Sequence, residues 1–472
     1  MGRGRESWFA SPVPTVCATW VGRRAARLEF ALDLWYPCPD LIQRQGTVKQ
    51  GDVIELELDA INHLGQALGR YEGKVVFVPY ALPGERARVR IVEDRKRWAR
   101  GELLDLLETS PHRVKAPCPY YGTCGGCQYQ HVDAATQLAY KREIVVDQLH
   151  RAGLPEPLPV RDVRGTRGMD EPWAYRNHVQ FTLGEEGELG FQGARSHEVV
   201  PIARCLLLHP LLDEMHQMLD VQWPELSRIS LRAGTRTGEQ MVIFEPTSGE
   251  MPELEVDVPL SCVLRLPDGR HVPLIGSEVL HERLRERVFR ISAGSFFQVN
   301  TVQAERLLDA VETYLDPEAD DVLLDVYCGV GTFGLSLLDG VHRVGRVIGV
   351  EESPSAVEDA WANATTTGSA GPEAVTLIEG RAEEVVPTLD EPVSKVVIDP
   401  PREGCTPALL DALVDLAPQR IAYVSCNPAT LGRDLAHLVE AGYRLREVQP
   451  VDMFPQTYHI ESVSWLQREE GG

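Results

Sequence analysis

Apolar and polar positions alternate along Asp52-Val53-Ile54-Glu55-Leu56-Glu57-Leu58, the two-residue period of a strand with one buried face. Lys74 to Val78 is a second strand, closed by Pro79 and Pro83-Gly84, and 87–92 is a third. Gly65, Gly69 and Gly73 punctuate the turns. Residues 45–110 therefore predict a small β barrel. A helical stretch follows from Ala134 to Arg151, and His178 to Leu183 returns to the strand period. Residues 111–290 read as a mixed α/β segment whose topology the pattern does not define. From about Ser292 short, almost wholly apolar strands alternate with helices: 322–326, 346–350, 395–398 and 420–424. Strands of that kind are buried on both faces, so 291–472 predict a parallel, doubly wound sheet. The expected class is α/β.

Composition changes this picture little. Hydrophobic residues make up 43% and charged residues 25% of the 472, as in an ordinary globular chain of two or three domains. No apolar run approaches the roughly 18 residues of a membrane span. Residues 1–44 imitate a secretory signal, but Pro12 and Pro14 interrupt the apolar run. They are expected to be a disordered extension, or a start assigned too far upstream. Ten cysteines, three close together and the others single, do not make a secreted disulfide scaffold, so a reducing cytoplasm is expected. No obligate protein partner is indicated.

Charge is more informative. The net charge of −23 argues against a nucleic-acid partner until its distribution is read. From Ile291 onward there are 30 Asp/Glu and 11 Lys/Arg, which leaves the rest near neutral. Within the barrel, Arg86, Arg88, Arg90, Arg95, Lys96, Arg97 and Arg100 lie on or just after one strand. They are either a phosphate-contacting edge or a solvated face, and composition does not choose.

Three loops at strand ends carry chemistry. Asp325-Val326-Tyr327-Cys328-Gly329-Val330-Gly331-Thr332-Phe333-Gly334 joins a strand to a helix, and Glu351 ends the next strand, placed for a ribose diol. Glycines 329, 331 and 334 also fit the dinucleotide pattern G-x-G-x-x-G, a weak match by itself. Asp325 favours a cationic sulfonium over a pyrophosphate, and so S-adenosylmethionine over NAD. Asp399-Pro400-Pro401-Arg402 ends a later strand as a rigid loop. Ser425-Cys426-Asn427-Pro428 ends the next and enters a helix over 429–441, whose N-terminus is expected to lower the thiol pKa. A lone cysteine is more often a small core residue, but this one stands at the sheet's carboxyl edge. Tyr458-His459-Ile460-Glu461, before a last strand over 463–466, offers two rival bases, His459 and Glu461.

A further cluster, Cys118-Pro-Tyr-Tyr-Gly-Thr-Cys124-Gly-Gly-Cys127, places three thiols close enough to share one metal centre, with Cys205 as a distant fourth. Zinc is the general default for four cysteines, but it usually takes two C-x2-C knuckles. One tight triplet with a remote fourth is more like a [4Fe–4S] site.

These motifs together resemble the RNA uracil-C5 methyltransferase family, most of all its bacterial iron–sulfur branch acting on 23S ribosomal RNA. The likeness runs from about residue 46 to the end. Residues 73–85, Gly-Lys-Val-Val-Phe-Val-Pro-Tyr-Ala-Leu-Pro-Gly-Glu, resemble a TRAM domain, an OB-like RNA-binding barrel. Ser295-Phe296-Phe297-Gln298-Val299-Asn300 resembles the segment entering a Rossmann-like methyltransferase domain. The resemblance implies modules at 45–110 (TRAM), 111–290 (iron–sulfur, RNA-binding) and 291–472 (catalytic). It implies that Gln298, Tyr327, Thr332, Glu351 and Asp399 line the S-adenosylmethionine site. It makes Cys426 the nucleophile, Glu461 the base, and Cys118, Cys124, Cys127 and Cys205 the cluster ligands. Uracil C5 is a poor nucleophile until a thiolate adds to C6, which is why such chemistry wants a cysteine. Two positions depart from the family pattern: Arg381 stands where an Asp or Asn usually meets the adenine, and Thr332 stands where some members have Asn. Three alternatives follow: a transfer-RNA enzyme of the same family, a non-catalytic RNA-binding iron–sulfur protein, and an NAD-dependent oxidoreductase. The last leaves Cys426 unexplained.

Overall fold

The first strand period folds as it reads. In the computed structural model, which describes residues 48–165, 172–184, 186–248, 253–339, 342–366 and 372–469, Ile54 and Leu56 are buried while Val53, Glu55 and Glu57 are exposed. The expectation for residues 1–44 lies outside the described residues. The barrel sheet has six strands, with Val53–Glu57 at one end beside Arg86–Asp94 and Ala60–Ile61 at the other. Alternation along Arg86–Asp94 puts Ala87, Val89 and Ile91 in the barrel core and Arg86, Arg88 and Arg90 outside.

Those arginines are not a free basic edge. Arg86 pairs with Glu55 and Glu108, Arg88 with Asp105 and Arg90 with Glu102, all across neighbouring strands. Arg95 and Arg100 both reach Glu93. Spacing along one strand could not reveal that the partner strands supply an acid opposite each base. The stripe is largely self-neutralised, a solvated ion-paired face.

The middle of the chain forms a seven-stranded sheet, antiparallel except where Gln240–Pro246 runs parallel to Ser261–Arg265. Helix Pro210–Met218 covers it through Leu212 and Met215. A hairpin, Val279–Leu284 with Arg287–Ser292, leads to the last sheet.

That sheet has seven strands, here β1 (Val322–Val326), β2 (Arg346–Glu351), β3 (Val375–Glu379), β4 (Lys395–Ile398), β5 (Arg420–Ser425), β6 (Tyr443–Val451) and β7 (Glu461–Arg468). Its order is β3-β2-β1-β4-β5-β7-β6. Strands β1 to β5 are parallel, and β7 is antiparallel to both neighbours. The helices are α1 (Thr301–Leu315), α2 (Thr332–Asp339), α3 (Pro354–Thr366), α4 (Ala382–Val385), α5 (Pro407–Leu416) and α6 (Pro428–Glu440). Every residue of β4 is buried, as a central strand covered on both faces requires.

Helix Ala134–Arg151, though it precedes the middle sheet in the chain, packs on this last sheet. Ile144, Val145 and Leu149 join the core formed by Leu324, Ile398 and Leu431. Each such burial contributes roughly 1.5–3 kcal/mol. Its contact with α6 is close: a Cβ on Gly432 would lie 2.9 Å from Ala152 Cβ and 3.1 Å from the Gln148 carbonyl oxygen. The chain then runs beside β6, where Arg161 N donates to Val448 O and Val448 N to Pro159 O, both at 2.9 Å, which covers a sheet edge that would otherwise be open.

Candidate active site

The register of the parallel strands assembles the site. Ile398 is paired with Val326 on one side and Tyr423 on the other, so Asp399 emerges between Tyr327 and the end of β5. Ser425 is paired with Ser462 across the antiparallel β5–β7 pair. Cys426 and Glu461 follow at the next position, and Glu461 is the first residue of β7. Three chemistry-bearing side chains from β4, β5 and β7 thus share one carboxyl edge, where open α/β sheets bind ligands.

Two motif loops are tied together there. Asn427 caps α6, its side chain accepting from Ala429 N at 3.1 Å. The Asn427 amide donates to Arg402 O at 3.0 Å and Thr430 Oγ1 to the same oxygen at 3.1 Å. Buried Asp434 accepts from Cys405 N at 2.8 Å and from the Tyr423 hydroxyl at 2.6 Å. Gly404, at φ +72°, is the residue that lets this loop close: a Cβ there would meet Asp434 Oδ2 at 2.4 Å.

The thiol does not behave as the helix N-terminus alone predicts. Burial, then Glu461 and Asp399, push Cys426 up to about 12, and Arg402 opposes them. Helix-terminus stabilisation is typically 0.3–1 kcal/mol, less than two nearby carboxylates in a half-buried pocket exert against it. The expected lowering is therefore overturned for the free protein. The carboxylates move the same way: burial pushes Asp399 up to about 7, and burial with Asp399 pushes Glu461 well above the carboxylate range. His459 is driven down to about 4 by burial and Arg402. It is neutral at pH 7 but a weak proton acceptor.

Glu461 is placed by the loop before it. Asp452 O accepts from Gln303 Nε2 at 2.8 Å, Met453 O from Asn300 Nδ2 at 3.3 Å and Phe454 O from Lys141 Nζ at 3.0 Å. Pro455 O accepts from the Tyr175 hydroxyl at 3.1 Å. Gln456 O receives Gln128 N at 3.0 Å and Tyr129 N at 2.9 Å, which clasps the cysteine loop directly to this candidate catalytic loop.

The predicted cofactor residues lie around the first βα turn. Tyr327 adopts φ +62° and its hydroxyl donates to Glu383 at 3.0 Å. Glu351 accepts from Gly329 N at 3.0 Å and Ser353 N at 2.9 Å, holding the glycine loop against β2. Thr332 opens α2. Gln298 is buried just before α1, its carbonyl bonded to Asn177. Asp325 accepts from Gly334 N at 2.7 Å, but its Oδ1 has no partner, and burial pushes it up to about 7 with Asp399 and Glu351 adding to the effect. A glycine loop ringed by mutually repelling carboxylates fits a cationic ligand. Arg381 is exposed, within 4 Å of Glu383 and Glu384.

Cys118, Cys124, Cys127 and Cys205 line one cavity of about 430 Å³. Gly126 N donates to Cys124 Sγ at 3.4 Å, and burial pushes Cys127 up to about 12. Among the described residues, no three His, Cys, Asp or Glu side chains converge to hold a single metal ion.

Arg402 was missed as a functional residue, although the Asp-Pro-Pro-Arg motif contains it. Gln128 and Gln456 carried no sequence signal, because their pairing spans more than 300 residues.

A model of the tRNA (uracil-5-)-methyltransferase family matches residues 275–469, and the TRAM domain matches 47–104. An uncharacterized RNA methyltransferase of Halalkalibacterium halodurans is 36% identical over 90% of this chain and 99% of its own. The chain belongs to the RNA uracil-5-methyltransferase family. This family membership makes it an S-adenosylmethionine-dependent RNA methyltransferase. A Streptomyces avermitilis relative, also described as an uncharacterized RNA methyltransferase, is 37% identical over 88% of this chain and 98% of its own. The structure of Pyrococcus abyssi tRNA (uracil-54, C5)-methyltransferase in complex with S-adenosyl-L-homocysteine aligns with a TM-score of 0.69 at 27% identity, covering 88% of this chain and all of that one. Among the described residues no helix is long and apolar enough to cross a membrane.

Proposed function

We propose that this methyltransferase acts on a uridine of 23S ribosomal RNA in the cytoplasm, by covalent catalysis from Cys426. The observation that carries the reading is the meeting of Cys426, Asp399 and Glu461 at one sheet edge, close enough for Asp399 to act on Glu461 and for both to act on Cys426. The Cys426 thiol gives its proton to solvent and its sulfur bonds to uracil C6, which breaks the C5–C6 π bond and makes C5 an enolate carbon. C5 takes the methyl group from the sulfonium, which leaves as a neutral thioether. Glu461, ionised at that stage, removes the C5 proton, and the C6–S bond breaks to release methylated RNA and the thiolate. The uridine must leave its stack to reach this edge. Gln298, Tyr327, Thr332, Glu351 and Asp399 hold the methyl donor in this reading. Glu461 is preferred to His459 because a carboxylate with a raised pKa is the stronger base.

Cys118, Cys124, Cys127 and Cys205 hold a [4Fe–4S] cluster in the same reading. A single zinc would draw its sulfurs to within about 4 Å of one another, given bonds of about 2.3 Å. Four cysteines spread round a wide cavity suit a polynuclear group better. Anaerobically purified protein should be brown, with about four irons per chain; stoichiometric zinc without iron would overturn the assignment.

Mapping 5-methyluridine in a strain lacking the gene tests the substrate. One position should disappear from 23S RNA. The likeness to the Pyrococcus abyssi enzyme supports a second reading, transfer RNA, and loss from tRNA alone would establish it in place of the first.

A further inference from the structure

A second cavity, of about 320 Å³, lies outside the catalytic residues, where the barrel, the cysteine loop and the catalytic loop meet. Tyr80 and Arg100 come from the barrel, Gln128 from the cysteine loop, Arg195 from a turn between two strands of the middle sheet and Tyr458 from the catalytic loop. Several features mark it as built rather than incidental. Arg100 Nε and Gln128 Oε1 are buried without a hydrogen-bond partner. Exposed Arg195 makes no ion pair among the described residues, and Glu102 acts on it only at longer range while pairing with Arg90. Tyr80 holds a left-handed backbone at φ +63°, rare for an aromatic residue and a form of strain found at ligand sites. Gly65, at φ +72°, admits Tyr458 beside the barrel turn, because a Cβ there would lie 2.7 Å from Tyr458 Cβ.

An unpaired guanidinium, an unmet amide acceptor, a second guanidinium with a free N–H and two tyrosine rings are the groups that hold one nucleotide: phosphate on cation, base edge on amide, base face on ring. The barrel's arginine stripe, by contrast, is already matched with acids. We propose that this cavity binds a single-stranded nucleotide of the substrate RNA flanking the target uridine, with Arg195 on its phosphate. Tyr458 adjoins His459, their rings 4.4 Å apart, two residues before Glu461, so an occupant would touch the loop that carries the base. The inference rests on the reading of the protein as an RNA methyltransferase and adds the place where it grips RNA beyond the target base.

Arg195→Glu and Arg195→Lys, at an exposed position with no ion pair among the described residues, test it. The Glu variant should raise KM for RNA about tenfold or more, leave KM for S-adenosylmethionine and kcat unchanged, and flatten the log–log salt dependence of RNA binding by about 0.7. The Lys variant should restore the slope. Ultraviolet crosslinking of the wild-type complex should mark the peptide containing Tyr80 or Tyr458. A Glu variant with wild-type RNA KM and salt slope, or crosslinks that avoid both peptides, would overturn the proposal. Wild-type protein that methylates no RNA would sink the functional reading instead, a result that normal wild-type turnover excludes.

Discussion

At Cys426 the decisive quantity is the charge around the sulfur. With the thiol near 12 and Asp399 near 7, the free enzyme holds the proposed nucleophile protonated at neutral pH. Removing a neighbouring negative charge must lower the thiol pKa. Asp399, near 7, is ionised at pH 8, so Asp399→Asn should speed alkylation of Cys426 by iodoacetamide at that pH severalfold, while Glu461→Gln abolishes product release and traps an RNA adduct visible on a denaturing gel. Unchanged alkylation would show that Asp399 does not act on the sulfur, and normal product release would move the base role to His459. Cys426→Ala should lose turnover and keep cofactor binding, measured by calorimetry. Asp325 tests the cofactor loop by another route. Its pKa is raised from 3.8 to about 7 in the fold, so its contribution to stability is full below about pH 4 and is lost as pH rises through 7. Relative to wild type, Asp325→Asn should gain stability between pH 4 and pH 8, by an amount on the order of 1–4 kcal/mol in denaturant unfolding. A pH-independent difference would show that the carboxylate is not held protonated.

Among the elements, the packing of helix Ala134–Arg151 on α6 invites a direct test. Leucine at Gly432 would gain about 1 kcal/mol of helix propensity. It would also drive a side chain into Ala152 and the Gln148 carbonyl, an overpacking that typically costs 1–3 kcal/mol. The net expectation for Gly432→Leu is destabilisation, read as a lower midpoint in urea; a stabilised variant would mean that the helices separate easily. The same helix shows what was legible in the sequence. Its limits, and strands β1 and β4, follow directly from periodicity, because local apolar spacing is what places an element. Its docking partner does not, since contact between helices distant in the chain leaves no period to read. Strands β3 and β6 escaped as well: Val375–Glu379 is short and half-exposed at one edge, and Tyr443–Val451 carries three charged residues on its exposed stretch. In the site, Cys426, Asp399 and Glu461 were legible from motifs at strand ends, while the sign of the thiol shift was not. Glycines, prolines and caps announce a loop, but the balance of burial and charge depends on which strands become neighbours.

For the whole molecule, the question is why the cysteine-bearing segment is joined to an enzyme whose methyl transfer has no redox step. Gln128 N and Tyr129 N, immediately after Cys127, donate to Gln456 O, and the Gln137 amide donates to Gln456 Oε1 at 3.0 Å. Gln456 itself sits at φ +68°, a strained conformation that its surroundings must hold. Five residues later comes Glu461. The cysteine loop therefore acts as a brace: whatever orders Cys118 to Cys127 also fixes the approach to the Glu461 carboxylate. Cys127→Ser should loosen that brace without touching the active-site chemistry. Hydrogen–deuterium exchange over 454–461 should quicken in the variant, while β1 and β4, deep in the sheet, keep their wild-type protection. Turnover should fall with cofactor affinity preserved, since the glycine loop lies on β1 and β2 and shares no hydrogen bond with Gln456. Exchange that rises equally across the whole catalytic sheet would mean that the cysteines stabilise the fold at large, and exchange unchanged at 454–461 would show that the clasp at Gln456 holds without them.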